Sequence, residues 1–220
     1  MAARSQNAKQ RRWVIIGGVA AVLIAALVAI TTVTGTAPDT VEVTVTGDPV
    51  PVLSSNVPLG QDIAFGWDAP LVEGTDWNGN PVTIDPGDGR SKLIVFLAHW
   101  CPHCQAEVPQ VQAWLNETGG HPDVDIYGIA TSNDRTRPNW PPGDWLEREG
   151  WTPPTLVDNS GKAARAYGMA GTPFWAAVNA EGQVVYRIAG GVGIDGLISL
   201  QDLSTQSVED LQAVISRSQS

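Results

Sequence analysis

The chain has 220 residues, and at roughly 100–200 residues per domain that is length for one folded domain with an appendage. Hydrophobic residues make up 43% and charged residues 16%, which excludes wholesale disorder and supplies enough apolar side chains for a core. The net charge is −10, and Arg4, Lys9, Arg11 and Arg12 precede every acidic residue; the remainder sets 9 basic against 23 acidic side chains, which excludes a phosphate-backbone footprint and nucleic acid as a partner.

The basic tail, residues 1–12, runs into an apolar stretch, Trp13 to Val33, whose 21 residues make a helix of about 31 Å at ~1.5 Å per residue, the thickness of a hydrocarbon core. With its positive charge on the N-terminal side, this stretch is expected to be a single transmembrane anchor, N-terminus in the cytoplasm and the rest outside. A cleaved signal peptide begins in the same way. Its apolar region runs only roughly 7–15 residues, however, and here the small-residue site Gly35-Thr36-Ala37 is followed by Pro38. On either reading the remainder is extracytoplasmic, where a disulfide persists.

Residues 34–61 are rich in Thr, Val, Pro and Ser without helical period and read as an extended linker, although Val41 to Thr46 alternates as a strand would. The folded domain is expected over residues 62–220. A hairpin with glycine-bearing turns at Asn78–Pro81 and Asp85–Gly89 brackets a strand at Val82–Ile84. Lys92 to Ala98 is a continuous apolar run, suited to a central strand buried on both faces. After it, Val108, Val111 and Leu115 form one face of a helix closed by Gly119-Gly120. Strands follow at Val124–Ala130 and Pro154–Asp158, with a short helix Trp145–Glu149 between them and another at Lys162–Tyr167. A hairpin, Phe174–Val178 and Val184–Ile188, turns at Asn179–Gly182, and an amphipathic helix Gln206–Arg217 closes the chain with Val208, Leu211, Val214 and Ile215 inward. Short apolar runs alternating with helical ones specify an α/β domain.

Cys101-Pro102-His103-Cys104 stands where that central strand meets the helix, and these are the chain's two cysteines. A spacing of three puts the two sulfurs on one helical turn, and the orphan N–H groups of a helix start stabilise a thiolate on Cys101. Pro102 costs no hydrogen bond there, and a protonated His103 would lower the Cys101 pKa further. Cys104, one turn in, is expected to be the buried resolving thiol.

Trp100-Cys101-Pro102-His103-Cys104-Gln-Ala-Glu107-Val-Pro109 and, further on, Pro154-Thr-Leu-Val-Asp158, Gly161, Ala164, Tyr167-Gly168 and Gly171-Thr172-Pro173 resemble the thioredoxin superfamily, and within it the TlpA/ResA-like membrane-anchored thiol-disulfide oxidoreductases. The resemblance covers about Ala64 to Gly191 and implies a mixed sheet of four to five strands with helices on both faces and an N-terminal hairpin extension. It implies that Cys101, Cys104 and Glu107 are catalytic and that Trp100, Pro102, His103, Thr172 and a cis-Pro173 meet substrate. No cofactor beyond the Cys101–Cys104 disulfide and no metal are expected; the partners implied are protein thiols or disulfides and a membrane redox protein. Thioredoxins keep an acidic residue six positions before the first cysteine, where this chain has Val95. The Pro-His dipeptide is that of the oxidising DsbA type, which favours an oxidant of secreted proteins over a reductant in cytochrome c maturation.

A lone C-x-x-C also fits a structural disulfide or, with His99 and His103 beside it, a metal-binding or metallochaperone domain. A peroxiredoxin would need a threonine at position 98, which is Ala98. Trp100 and Trp175 read either as the lining of an apolar substrate groove or as packing residues. The loop 134–153, with Trp140, Trp145, Trp151 and several prolines, reads as either plain surface or a partner-recognition lid.

Overall fold

The alternation inside the central strand decides the layers. Leu93, Val95 and Leu97 point to one apolar cluster while Ile94 and Phe96 point to another, all essentially inaccessible, so this strand separates two cores. In the computed structural model the described residues are 42–218. The expected tail and anchor, residues 1–33, and the linker as far as residue 41 lie outside them. Among the described residues no helix is long and apolar enough to cross a membrane.

Numbered in chain order, the strands are β1 (Thr44–Thr46), β2 (Leu71–Thr75), β3 (Pro81–Ile84), β4 (Ser91–Leu97), β5 (Val124–Thr131), β6 (Thr155–Asp158), β7 (Phe174–Val178) and β8 (Val184–Ala189). The helices are α1 (Pro102–Thr118), α2 (Pro142–Arg148), α3 (Lys162–Ala166), α4 (Gly193–Ser204) and α5 (Val208–Ser218). Five strands form a mixed sheet in the order β6-β5-β4-β7-β8; β5 runs parallel to β4 and β6, and β7 antiparallel to β4 and β8. The sheet face carrying Leu93 and Val95 packs Val108 and Val111 of α1, Trp145 of α2, Leu197 and Leu200 of α4 and Leu211 of α5. The other face packs Tyr167 and Ala163 together with Val72, Val82 and Ile84 of a separate antiparallel sheet, β1-β2-β3. This is the mixed five-strand arrangement expected above, with the N-terminal hairpin enlarged to three strands.

Several expectations change. The described part of the expected linker is not a free spacer. Val43, Val50 and Leu53 are buried, β1 pairs with β2, and the Val50 and Leu53 amides donate to the carbonyls of Ala166 and Gly168. The alternation at Val43–Thr46 outweighs the flanking prolines because its valines find a core. The short helix begins at Pro142 rather than Trp145, since a proline is tolerated in a first turn. A helix that the sequence reading left out, α4, occupies Gly193–Ser204. On α5, Leu211 is buried but Val214 is exposed, so the inward stripe is narrower than expected.

Candidate active site

β4 ends at Leu97, and the next residues turn directly into α1. Cys101 caps that helix with extended backbone, its N–H donating to Ala98 O at 2.9 Å and its C=O accepting from Gln105 N at 3.0 Å. Pro102 fills the first helical position, as expected of a residue with no N–H to leave unpaired. At the other end Gly119 takes the left-handed conformation, φ 76°, and its N–H donates to Leu115 O.

The two thiols, both free, sit in unlike surroundings. Cys101 is 5% exposed and its Sγ lies 3.2 Å from Thr172 O. Burial works against its thiolate, but the backbone N–H groups of Cys104 and His103 and the Thr172 side chain outweigh that and hold the Cys101 pKa below the ordinary thiol value. The histidine therefore contributes through its backbone, and its ring stays exposed. Cys104 is 0% exposed, and burial followed by the charge of Cys101 pushes its pKa far above the ordinary range. One helical turn thus holds an activated sulfur and a suppressed one.

The peptide between Thr172 and Pro173 is cis. It leads into β7, whose Phe174 and Trp175 pair with Phe96 and Val95 of β4, so Thr172 arrives beside Cys101 because the sheet register puts it there. Val95 is fully buried beside Trp175, an apolar position with no titratable group.

Glu107 lies one turn beyond Cys104 and is buried. Its Oε1 accepts from Val192 N at 2.6 Å and its Oε2 from Trp175 Nε1 at 3.1 Å, with a further backbone bond from Gly193. The carboxylate thereby joins α1 to β7 and to the start of α4. Burial outweighs these three donors and raises its pKa. Trp175 is fully buried and lines no groove, because its indole N–H is committed to Glu107.

Trp100, partly exposed, donates from Nε1 to Ser132 O at 2.8 Å. His99 is fully buried: Nδ1 donates to Pro138 O at 2.6 Å and Nε2 accepts from Asp134 N at 3.1 Å. Both ring nitrogens are therefore engaged with residues 134–138 and leave no lone pair for a metal. Among the described residues, no group of three or more His, Cys, Asp or Glu is arranged to hold a metal ion. The part of the 134–153 loop up to Trp140 is tied to this histidine, since Asn139 Nδ2 also donates to His99 O. Sequence reading missed this function of His99 and the parts played by Trp175 and Val192; Trp175 carried a local signal, its place two residues after Pro173.

The family model described as Redoxin matches residues 36–197. Among curated relatives, the thiol:disulfide interchange protein HelX of Rhodobacter capsulatus is 28% identical over 129 residues, 59% of this chain and 65% of that protein. Sporulation thiol-disulfide oxidoreductase A of Bacillus subtilis is 23% identical over 107 residues, 48% of this chain and 62% of that protein. The chain thus spans slightly less than two thirds of the length of either relative. Among solved structures, a thioredoxin-family thiol:disulfide interchange protein from Chlorobium tepidum superposes with a TM-score of 0.54 at 22% identity, covering 64% of this chain and 97% of that one. The thioredoxin domain of a thiol-disulfide oxidoreductase from Bacteroides vulgatus gives 0.50 at 24% identity, covering 64% and 96%. At these identities the structural likeness shows a thioredoxin-like fold.

Proposed function

The chain belongs to the Redoxin family, and on that premise we propose that it is a thiol-disulfide oxidoreductase that passes a Cys101–Cys104 disulfide to protein substrates outside the cytoplasm. The observation that carries this reading is the asymmetry of the two thiols, one lowered in pKa at a helix start and the other raised by burial one turn away.

In the oxidising direction a substrate thiolate attacks Cys101 Sγ. The Cys101–Cys104 bond breaks, a substrate–Cys101 disulfide forms, and Cys104 leaves as a thiolate that takes a proton. A second substrate thiolate then attacks the substrate sulfur of the mixed disulfide, releasing oxidised substrate and the Cys101 thiolate. Two electrons pass from substrate to enzyme, and a membrane redox partner is the proposed acceptor that regenerates the disulfide. Release of Cys101 is eased by its lowered pKa, since a more stable thiolate leaves faster. Glu107, one turn along α1 from Cys104 and raised in pKa, is the proposed proton relay for Cys104. Thr172 and cis-Pro173 border Cys101 on the side where substrate backbone is proposed to dock, with Trp100, Pro102 and His103 forming the rest of that rim.

The apolar stretch Trp13–Val33, with four basic residues ahead of it, supports an anchor that holds the domain at the outer face of the membrane. The opposite direction of electron flow, a reductant of disulfides, would use the same two sulfurs and is distinguished by the potential of the pair.

The test is trapping. With Cys104→Ala, substrate proteins should accumulate as disulfides to Cys101, visible as adducts on non-reducing gels and lost on reduction; with Cys101→Ala they should not. Equal trapping by both variants, or none by either, would overturn the proposal.

A further inference from the structure

We infer that Arg137, which lies over the ring of Trp100, the residue before Cys101, selects protein substrates that carry a carboxylate beside their reacting cysteine. The inference rests on the thiol-disulfide reading of Cys101 and Cys104 and adds the charge of the substrate segment.

Trp100 immediately precedes Cys101, and the hydrogen bond from its indole to Ser132 O fixes the ring. The guanidinium carbon of Arg137 sits 4.6 Å from the centroid of that ring. A guanidinium held over an aromatic ring can still direct N–H groups outward to a planar carboxylate, which it can take with two hydrogen bonds. The Arg137 side chain is 54% exposed, so a partner can reach it.

Arg137 does have one acidic neighbour, Asp134, with Nε and Oδ2 3.6 Å apart. The other oxygen of Asp134, Oδ1, accepts from Thr136 N at 2.9 Å and Thr136 Oγ1 at 2.7 Å, which closes the turn. An exposed pair at this distance is worth ~1 kcal/mol or less and leaves the cation open to a better-placed acid. A second guanidinium, Arg135, lies 5.5 Å over the ring of Trp140, itself 36% exposed.

His99 makes this arrangement specific to the active site. It stands two residues before Cys101, and both of its ring nitrogens hold the segment that bears the arginines. The backbone that carries the cation is thereby tied to the residue two before Cys101, which reduces the ordering cost of binding.

The test uses three synthetic peptides of one sequence, each with a single cysteine activated as a 2-thiopyridyl disulfide and flanked by aspartates, serines or lysines. Attack by the Cys101 thiolate forms a Cys101–peptide disulfide and breaks the peptide–thiopyridyl bond, releasing pyridine-2-thione, whose absorbance gives the rate. At low salt the aspartate peptide should react about fivefold faster than the serine peptide, the ~1 kcal/mol that an exposed ion pair reaches at best, and the lysine peptide slowest. Arg137→Lys should keep that order with a smaller ratio, Arg137→Gln should abolish the ratio and Arg137→Glu should invert it. Added salt should flatten it in the parent protein. Equal rates for the three peptides, or an order unchanged in Arg137→Glu, would overturn the inference. Failure of the reduced parent protein to release pyridine-2-thione from uncharged 2,2′-dithiodipyridine would instead count against the thiol-disulfide reading itself.

Discussion

At the scale of single residues two thiols three positions apart are treated in opposite ways by the fold. Cys101 ends an extended segment and receives the first N–H groups of α1, whereas Cys104 has turned into the core beneath it. Cys101 should therefore react with iodoacetamide with a midpoint below that of an unperturbed thiol, and Cys104 should stay unmodified until the protein unfolds. Mass spectrometry of the reduced protein across a pH series would read both sites, and faster labelling of Cys104 would reverse their roles. Much of this site was legible beforehand because its signals are local. The spacing of the cysteines, the proline at the helix start and the strand before it all lie within a dozen residues. What was not legible depends on distant contacts. His99 finds its partners 35 and 39 residues away, at Asp134 and Pro138, and Glu107 finds Val192 85 residues away. Nothing in the neighbourhood of either residue specifies such a contact.

At the scale of elements, the same division separates what patterning predicts from what packing decides. β4 was legible because an uninterrupted apolar run can only be buried on both sides. α4 was not, because Gly193 and Gly196 lower helix propensity in its first turns while its apolar residues are supported from outside, with Leu197 and Leu200 packed on the sheet. The described part of the linker expected at residues 34–61 is ordered for a related reason, since what holds it is remote from it. Arg187 of β8, fully buried, donates from Nε and a terminal nitrogen to both oxygens of Asp62 at 2.7 Å and from its other terminal nitrogen to the carbonyls of Pro51 and Tyr167 at 2.7 and 2.9 Å. Removing one partner strands a buried charge, so Asp62→Ala should cost about 3–5 kcal/mol in urea unfolding at neutral pH. Burial alone would raise the Asp62 pKa, but the Arg187 and Ala64 contacts overcome it and lower it. The stabilisation is therefore complete above the unfolded carboxyl pKa of about 4 and is lost as pH falls through the lower folded-state value, so parent and variant should converge in acid. A cost that stayed constant down to pH 2 would assign the loss to packing instead.

At the scale of the whole molecule, two questions join the domain to its setting: where it is held and which way electrons flow. Protease added to intact cells should remove a tag at the C-terminus and spare one at Ala2, and the protein should fractionate with membranes. Recovery of soluble mature protein beginning near Pro38 would replace the proposed anchor with a secreted enzyme. For direction, a stabilised Cys101 thiolate favours the reduced form and so makes the disulfide the stronger oxidant. No acidic side chain occupies the buried position of Val95 to oppose this. Thioredoxin at about −270 mV and DsbA at about −120 mV bracket the range, and their ~150 mV separation corresponds to ~7 kcal/mol at ~1.4 kcal/mol per 30 mV. The decisive measurement is the equilibrium of the Cys101–Cys104 pair with glutathione redox buffers, with the oxidised fraction counted by mass after acid quenching and alkylation. A stabilised Cys101 thiolate should give a single two-electron transition above about −195 mV, in the upper half of that range. A transition near or below about −230 mV would make the protein a reductant, and no disulfide at any buffer ratio would contradict the redox function altogether.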